Sequence, residues 1–269
     1  MKEPIEWHIL NQEINNEAEN YNHLMHVATY KYALKFIENK RVLDYGCGSG
    51  YGSYFLSEKA KSVIGVDINP DAVLMAQKNY VSENLSFSEI KSLNEKDFDV
   101  ITSFQVVEHV PDAILYIKFL KSLLAPNGVL LITTPNCKNR IFKYIQSPWN
   151  EHHLKEYSRS SFEKLLQKGF NNYEILCIGS NNEFALEEIK RTKKQRLVSI
   201  FATFSIYPYF LRVFLLRLFT WFFEFLRRFK KSSIKNASQI ENTIKYSIDD
   251  IIISKNVKYE TDFLAICKL

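Results

Sequence analysis

Short apolar runs alternate with amphipathic stretches along most of this chain, and that alternation predicts its elements. Ala28 to Glu38 places Ala28, Tyr32, Leu34, Phe36 and Ile37 at helical spacing. A short apolar strand, Arg41 to Leu43, follows, and a second runs from Val63 to Val66. Asn69-Pro70-Asp71 reads as a helix start, with a capping side chain and then proline in the first turn. Val73, Leu74 and Ala76 carry that helix. Further strands fall at Leu85–Ile90, Phe98–Phe104, Val129–Thr134, Tyr173–Gly179 and Lys258–Lys268. Helices are expected over Ala113–Leu124, stopped by Pro126-Asn127-Gly128, and over Ser160–Lys168, with Gly169 as the stop. Strands alternating with helices imply an α/β fold, a mostly parallel sheet covered on both faces.

The chemistry starts where the first strand ends. Residues 42–53 read Val-Leu-Asp-Tyr-Gly-Cys-Gly-Ser-Gly-Tyr-Gly-Ser, and the second strand ends in another acid, Asp67. Glycine tolerates positive φ and lets a ligand touch the backbone. Strand, glycine loop, helix, strand and terminal acid is the layout of a nucleoside-binding unit, in which the second acid holds ribose hydroxyls. The first acid selects the nucleoside. A dinucleotide places its pyrophosphate at this turn, and Asp44 would repel it. Tyr51 also stands where a third glycine of the dinucleotide pattern is needed. A ligand carrying an ammonium and a sulfonium welcomes the carboxylate, so S-adenosylmethionine fits and NAD does not.

Several segments now make a resemblance specific: residues 42–50, Val-Ile-Gly-Val-Asp-Ile at 63–68, Phe-Asp-Val-Ile at 98–101, Glu-His-Val at 108–110, and Leu-Ala-Pro-Asn-Gly-Val-Leu-Leu-Ile-Thr-Thr-Pro-Asn at 124–136. The chain resembles the class I S-adenosylmethionine-dependent methyltransferases over about 21–180 and the final strand. The resemblance implies a Rossmann-like seven-stranded sheet in order 3-2-1-4-5-7-6, with strand seven antiparallel. It implies a cofactor held by Asp44, Gly46, Cys47, Gly48, Gly50, Asp67, Ile68 and Gln105. Asn22-His23, Tyr30-Lys31-Tyr32-Ala33 and His152-His153-Leu154-Lys155-Glu156-Tyr157 look like methyltransferases associated with bacterial surface-glycan assembly. Ubiquinone-type O-methyltransferases share the Glu-His-Val turn. In those enzymes a Glu-x-x-Glu-His cluster is linked to a divalent metal. Here Gln105 stands in place of one anionic ligand, so no metal is expected.

Methyl transfer to a hydroxyl needs an aligned acceptor and a base. Histidine suits that base near neutrality. His109 follows the fourth strand, beside the switch point where such sites form. His152 and His153 precede the helix at Ser160 and are next in line. Two adjacent residues of an extended segment cannot both point inward. His109 can equally cap its turn, and the loop histidines can equally be solvated. Tyr21 and His23 could cover the cofactor.

Charge changes the picture once more. The chain carries net charge +5, yet Lys190 to Lys235 holds twelve basic residues and one acid, Glu224. Basic clusters flank an aromatic and aliphatic run, Leu197 to Leu226, interrupted by Arg212, Arg217, Glu224 and Pro208. Its longest uncharged stretch, Leu197–Leu211, is too short to span a bilayer and contains Pro208. Its aromatics are too dense for a nucleic-acid surface in water. On a helix, Arg217, Glu224 and Arg228 fall within about 20° of one line, and Glu224 can pair with Arg228. Two helices broken near Pro208 are therefore expected, with 195–231 lying on an anionic membrane surface. Covering a dimer partner or the protein's own core is the competing use.

The expected organisation is a methyltransferase domain of 1–182 and 248–269, with 183–247 as a helical insertion between strands six and seven. Four cysteines stand far apart without pairing or zinc spacing, which points to a reducing compartment. The opening Met-Lys-Glu-Pro-Ile-Glu shows no apolar signal segment. A cytoplasmic protein, peripheral on the inner face of the membrane, is the expected setting. The expected reaction is O-methylation of a hydroxyl on a lipid-linked or surface-glycan sugar. A polyprenylated phenol or quinone precursor is the alternative acceptor, and a non-catalytic membrane adaptor is the second alternative.

Overall fold

The computed structural model describes residues 17–137, 146–231 and 246–269, with side chains described over 20–137, 146–222 and 246–269. The opening residues Met1–Glu6, the expected Glu224–Arg228 pair and the side chains of the second basic cluster lie outside the described residues. In chain order the elements are α1 (Glu17–Ala33), β1 (Arg41–Tyr45), α2 (Tyr51–Ser57), β2 (Ser62–Asp67), α3 (Pro70–Asn79), β3 (Leu85–Glu89) and β4 (Phe98–Phe104). There follow α4 (Ala113–Ser122), β5 (Leu124–Pro135), α5 (Arg159–Leu166), β6 (Asn172–Ser180), α6 (Glu183–Val198), α7 (Tyr209–Lys231), β7 (Ile252–Ser254) and β8 (Tyr259–Lys268).

One sheet joins all the strands in the order β3-β2-β1-β4-β5-β8-β6-β7. Strands β1 to β5 run parallel. The final strand enters antiparallel between β5 and β6. This is the expected α/β sheet with one strand added at its edge, where Ile252–Ser254 pairs antiparallel with Cys177–Gly179. A three-residue strand is too short to show a period.

Both faces of the sheet are covered, which explains the continuous apolar runs. Val42, Val100 and Leu131 pack into one core with α1, α2 and the start of α6. Leu43, Ile101, Leu130 and Ile132 pack into the other with α4 and α5. Successive strand residues thus feed opposite layers. All four cysteines are buried free thiols.

Helix starts follow the capping residues. Asn69 accepts from the Asp71 amide at 3.0 Å, with Pro70 next. Asp112 accepts from Ile114 and Leu115 at 3.0 and 2.9 Å. Two boundaries differ from expectation. The first helix ends at Ala33, and the chain turns tightly through Lys35 and Phe36 to bury Ile37. Its core face is instead Tyr21, Leu24, Met25 and Ala28. Strand β5 begins at Leu124, because Leu124 already pairs with Phe98 and the chain resumes after a bulge. Asn127 takes φ 64 there, so Pro126-Asn127-Gly128 bends the strand instead of preceding it.

The region between β6 and β7 holds α6 and α7. Asn182 caps α6, whose Phe184, Ala185 and Ile189 enter the main core. The break between the helices spans Ser199 to Pro208. Arg212 is buried and donates to the carbonyls of Pro148 at 3.2 Å and His153 at 2.9 Å. Arg217 donates to Glu151 at 2.7 Å. These contacts dock α7 on the segment before α5. Opposite Arg212, α7 exposes Phe210, Phe214, Leu218 and Phe222, which succeed one another every four residues. Among the described residues no helix is long and apolar enough to cross a membrane.

Candidate active site

The glycine loop sits at the carboxyl end of β1, where open α/β sheets bind ligands. Gly46, Gly48 and Gly50 take φ of 86°, 53° and 89°. Space separates their roles. A Cβ on Gly46 would collide with Val106, and one on Gly52 would collide with the Tyr30 ring. A Cβ on Gly48 would meet nothing within 4 Å. Gly46 and Gly52 are packing glycines, and Gly48 faces the open cradle. The Gly46 and Cys47 amides both donate to the Val66 carbonyl, at 2.8 and 3.0 Å, tying the loop to β2.

Asp44 lies beneath the loop, fully buried. It accepts from Ser53 and Thr102 at 2.7 Å each and from Tyr30 at 3.1 Å. Burial raises its pKa, and the three hydroxyls oppose that shift. Three hydroxyl donors on its two oxygens are the pattern of a carboxylate. Asp67 accepts the Gly48 amide at 2.9 Å on one oxygen and the Asn69 amide at 2.9 Å on the other. A carboxylate has about four acceptor sites, so capacity for ribose hydroxyls remains. Ile68 is 82% exposed beside it, an apolar platform at the rim. The residues fit a cationic nucleoside: an open glycine, an acid below and an acid at the edge.

The turn after β4 links this cradle to a cavity of about 300 Å³. Val106 packs on Gly46, and Gln105, in a left-handed conformation at φ 57°, faces the cavity. The Gln105 amide group donates to Thr133 and Asp262, each at 3.2 Å. Glu108 is fully buried; one oxygen accepts from Thr134 at 3.2 Å and the other has no hydrogen bond. Burial pushes the Glu108 carboxyl up to about 8 and that of Asp262 up to about 7.

The three candidate histidines separate here. His109 Nδ1 lies 2.9 Å from the His152 carbonyl, which assigns the proton to Nδ1 and leaves Nε2 as acceptor. Partial burial lowers its pKa. His153 lines the same cavity, with its ring edge-on to His109 at 4.9 Å. The His152 side chain turns outward to 3.6 Å from Glu151, so its backbone rather than its ring joins the site. His153 is held between Asn150 at 3.1 Å and Glu156 at 3.5 Å. Glu108, His109 and His153 offer ligand atoms within 4.8 Å of one another, so these are the residues that could hold a cation. Tyr21 and Asn22 close one side of the cavity, and His23 lies apart, near Tyr51.

A family model described as a methyltransferase domain matches residues 18–175. The chain belongs to that family. It is 29% identical over 163 residues to a probable S-adenosylmethionine-dependent methyltransferase of Mycolicibacterium smegmatis, covering 60% of this chain and 63% of that one. It is 32% identical over 108 residues to the ubiquinone biosynthesis O-methyltransferase of Haemophilus ducreyi, covering 36% and 46%. The match therefore spans about half to two thirds of these relatives' length. The fold is shared with an S-adenosylmethionine-dependent methyltransferase of Thermotoga maritima, at TM-score 0.54 and 14% identity over 97% of this chain and 99% of that one.

Sequence reasoning passed over Asp262, Thr102, Ser53 and Glu108 as site residues. Asp262 carried a signal, an acid at the start of the apolar run Phe263–Cys267. Glu108 was visible only as part of its turn.

Glu108 yields a prediction. Its folded pKa is raised, so its contribution to stability is present below about pH 4.5 and is lost as pH rises through about 8. Glu108→Gln removes that loss. The variant should match the wild type near pH 4.5 and then gain on it by about 1.4 kcal/mol per pH unit up to about pH 8. Urea midpoints at about pH 5 and pH 8 measure the difference. Equal midpoints at both would contradict the buried proton.

Proposed function

We propose that this chain is an S-adenosylmethionine-dependent O-methyltransferase acting on a hydroxyl of a lipid-linked or surface-glycan sugar. The observation that carries the reading is the polar cavity beside the glycine loop, with Glu108, His109 and His153 together on its wall and the two imidazoles in edge-on contact. When bound, S-adenosylmethionine supplies a methyl group already activated by sulfonium. Asp67 and the Gly48 backbone orient the nucleoside, and Asp44 adds a buried negative charge beneath it. His109 Nε2 takes the hydroxyl proton, because its Nδ1 proton is committed to the His152 carbonyl. The lowered pKa keeps the ring neutral and ready to accept. Glu108 and His153 stand behind it as polar support.

The lipid part of the reading rests on α7. Phe210, Phe214, Leu218 and Phe222 form an exposed apolar row on a helix whose other side is docked. Such a row binds a bilayer interface by burying aromatics. The expected setting is the inner face of the cytoplasmic membrane. The similarity to a ubiquinone biosynthesis O-methyltransferase favours a second acceptor, a polyprenylated phenol, over the same site.

Turnover of labelled S-adenosylmethionine with membrane-lipid extract tests the activity, and mass spectrometry of the product identifies the acceptor. The labelled product should be a lipid-linked sugar methyl ether. His109→Ala should slow transfer at least about tenfold with little change in cofactor affinity. An unchanged rate in the variant would remove His109 as the base, and a labelled phenol would select the second acceptor. No labelled product at all would remove the activity and leave the adaptor reading.

Vesicle flotation tests the interface. The intact chain should float with anionic vesicles, and a Phe210→Ser, Phe214→Ser, Phe222→Ser variant should stay behind at any salt concentration. A chain that ignores every vesicle and forms a dimer burying α7 would contradict the membrane role.

A further inference from the structure

A second, larger space is left without a role. A groove of about 1010 Å³ runs between α6, α7 and the turn at 149–152. It shares Trp149, Asn150 and Arg191 with the 300 Å³ cavity, so the two adjoin across these side chains. The lining changes along this path. The cavity is walled by carboxylates and histidines, with Arg196 paired to Glu156. Arg191 stands at the junction, and Lys194 follows one turn on along α6. Beyond them Val198 from α6 and Leu216, Phe219 and Trp221 from α7 give the groove an apolar strip, flanked by Gln195, Ser199 and Thr220.

The cations are not equivalent. Arg191 gives two hydrogen bonds to Glu188, at 2.7 and 2.6 Å, which fixes its guanidinium at the junction. Arg217 is committed to Glu151. Lys194 is exposed on the groove wall and makes no ion pair among the described residues. A free ammonium beside an apolar trough suits a phosphate ester whose hydrocarbon continues into the trough.

We infer that the groove is the tail subsite of the acceptor, taking a phosphate and the first part of its attached hydrocarbon chain while the head group reaches the cavity. This rests on the methyl-transfer reading, because the head group is what His109 would deprotonate. The order of polar cavity, cationic junction and apolar trough matches the order of hydroxyl, phosphate and chain in one molecule. Leu216 and Phe219 of the groove lie on the opposite side of α7 from the outward Phe210 and Phe214, and Trp221 stands at the rim between them, so a bilayer can meet the helix without filling the groove.

Calorimetry on the full chain, without vesicles, tests this with farnesyl phosphate as the probe. Farnesyl phosphate should bind at least tenfold more tightly than either inorganic phosphate or farnesol. Lys194→Glu should weaken it at least tenfold by reversing the charge. Thr220→Phe should do the same by filling the trough from an exposed helix position. Both variants should keep wild-type affinity for S-adenosylmethionine, which shows that they fold. Binding no tighter than that of inorganic phosphate, or binding untouched by both substitutions, would overturn the subsite. Equal competition by phosphatidylglycerol vesicles at the groove would overturn it too, by making the groove a bilayer headgroup site. Failure of the methyl-transfer reading looks different: no product forms from any acceptor. Failure of the subsite alone shows as methyl transfer whose rate is the same with and without a phosphate-linked tail.

Discussion

Everything at the cofactor end of this molecule depends on one buried carboxylate. Burying an ionised Asp44 costs several kcal/mol unless its oxygens are satisfied. Tyr30, Ser53 and Thr102 satisfy them, and they come from α1, α2 and β4. The acid at the end of β1 thus clamps three elements around the glycine loop. The same clamp accounts for Gly52. The Tyr30 ring can reach Asp44 only by lying where a Cβ on residue 52 would be. Charge, loop geometry and helix placement are one constraint seen from three sides.

That constraint also orients the chemistry. Val106 packs against Gly46, so the turn after β4 is referenced to the loop. The Glu108 carbonyl accepts the amides of Leu154 and Lys155, at 2.9 and 3.1 Å, which draws the histidine segment to the same place. Arg212 then holds α7 to the His153 carbonyl. Packing at Gly46 and then hydrogen bonds connect the cradle, through the turn that carries His109, to the helix with the exposed aromatic row. Buried Arg196, paired with Glu156 at 3.0 Å, braces the cavity wall along this route. The segment between β6 and β7 is therefore built into the cavity wall.

Much of this was legible in the sequence because burial on both faces writes strands as apolar runs. Arg41–Leu43, Val63–Val66 and Phe98–Phe104 could be read that way. The glycine loop could be read because φ above zero and open space both demand glycine, and at Gly48 the two demands coincide. The bulged opening of β5 could not, because Pro126-Asn127-Gly128 carries the local signature of a turn. The edge strand at Ile252–Ser254 could not, because three residues have no period. In the site, the acids were found where they ended strands. Their partners were missed: Tyr30, Ser53 and Thr102 meet on Asp44 only once α1, α2 and β4 pack around the end of β1. His152 and His153 lie in and just after a turn rather than in an extended segment, so which one faced inward depended on Asn150 and Glu156.

The most direct measurement is calorimetric titration of the intact chain with S-adenosylmethionine, beside a folded Gly48→Val variant and with NAD as a control ligand. A Cβ substituent on Gly48 would enter only the open cradle. The account predicts one site per chain with micromolar-range affinity, roughly 8 kcal/mol. It predicts no binding by the variant and weaker binding of NAD. Normal binding by folded Gly48→Val, or tighter binding of NAD than of S-adenosylmethionine, would contradict it.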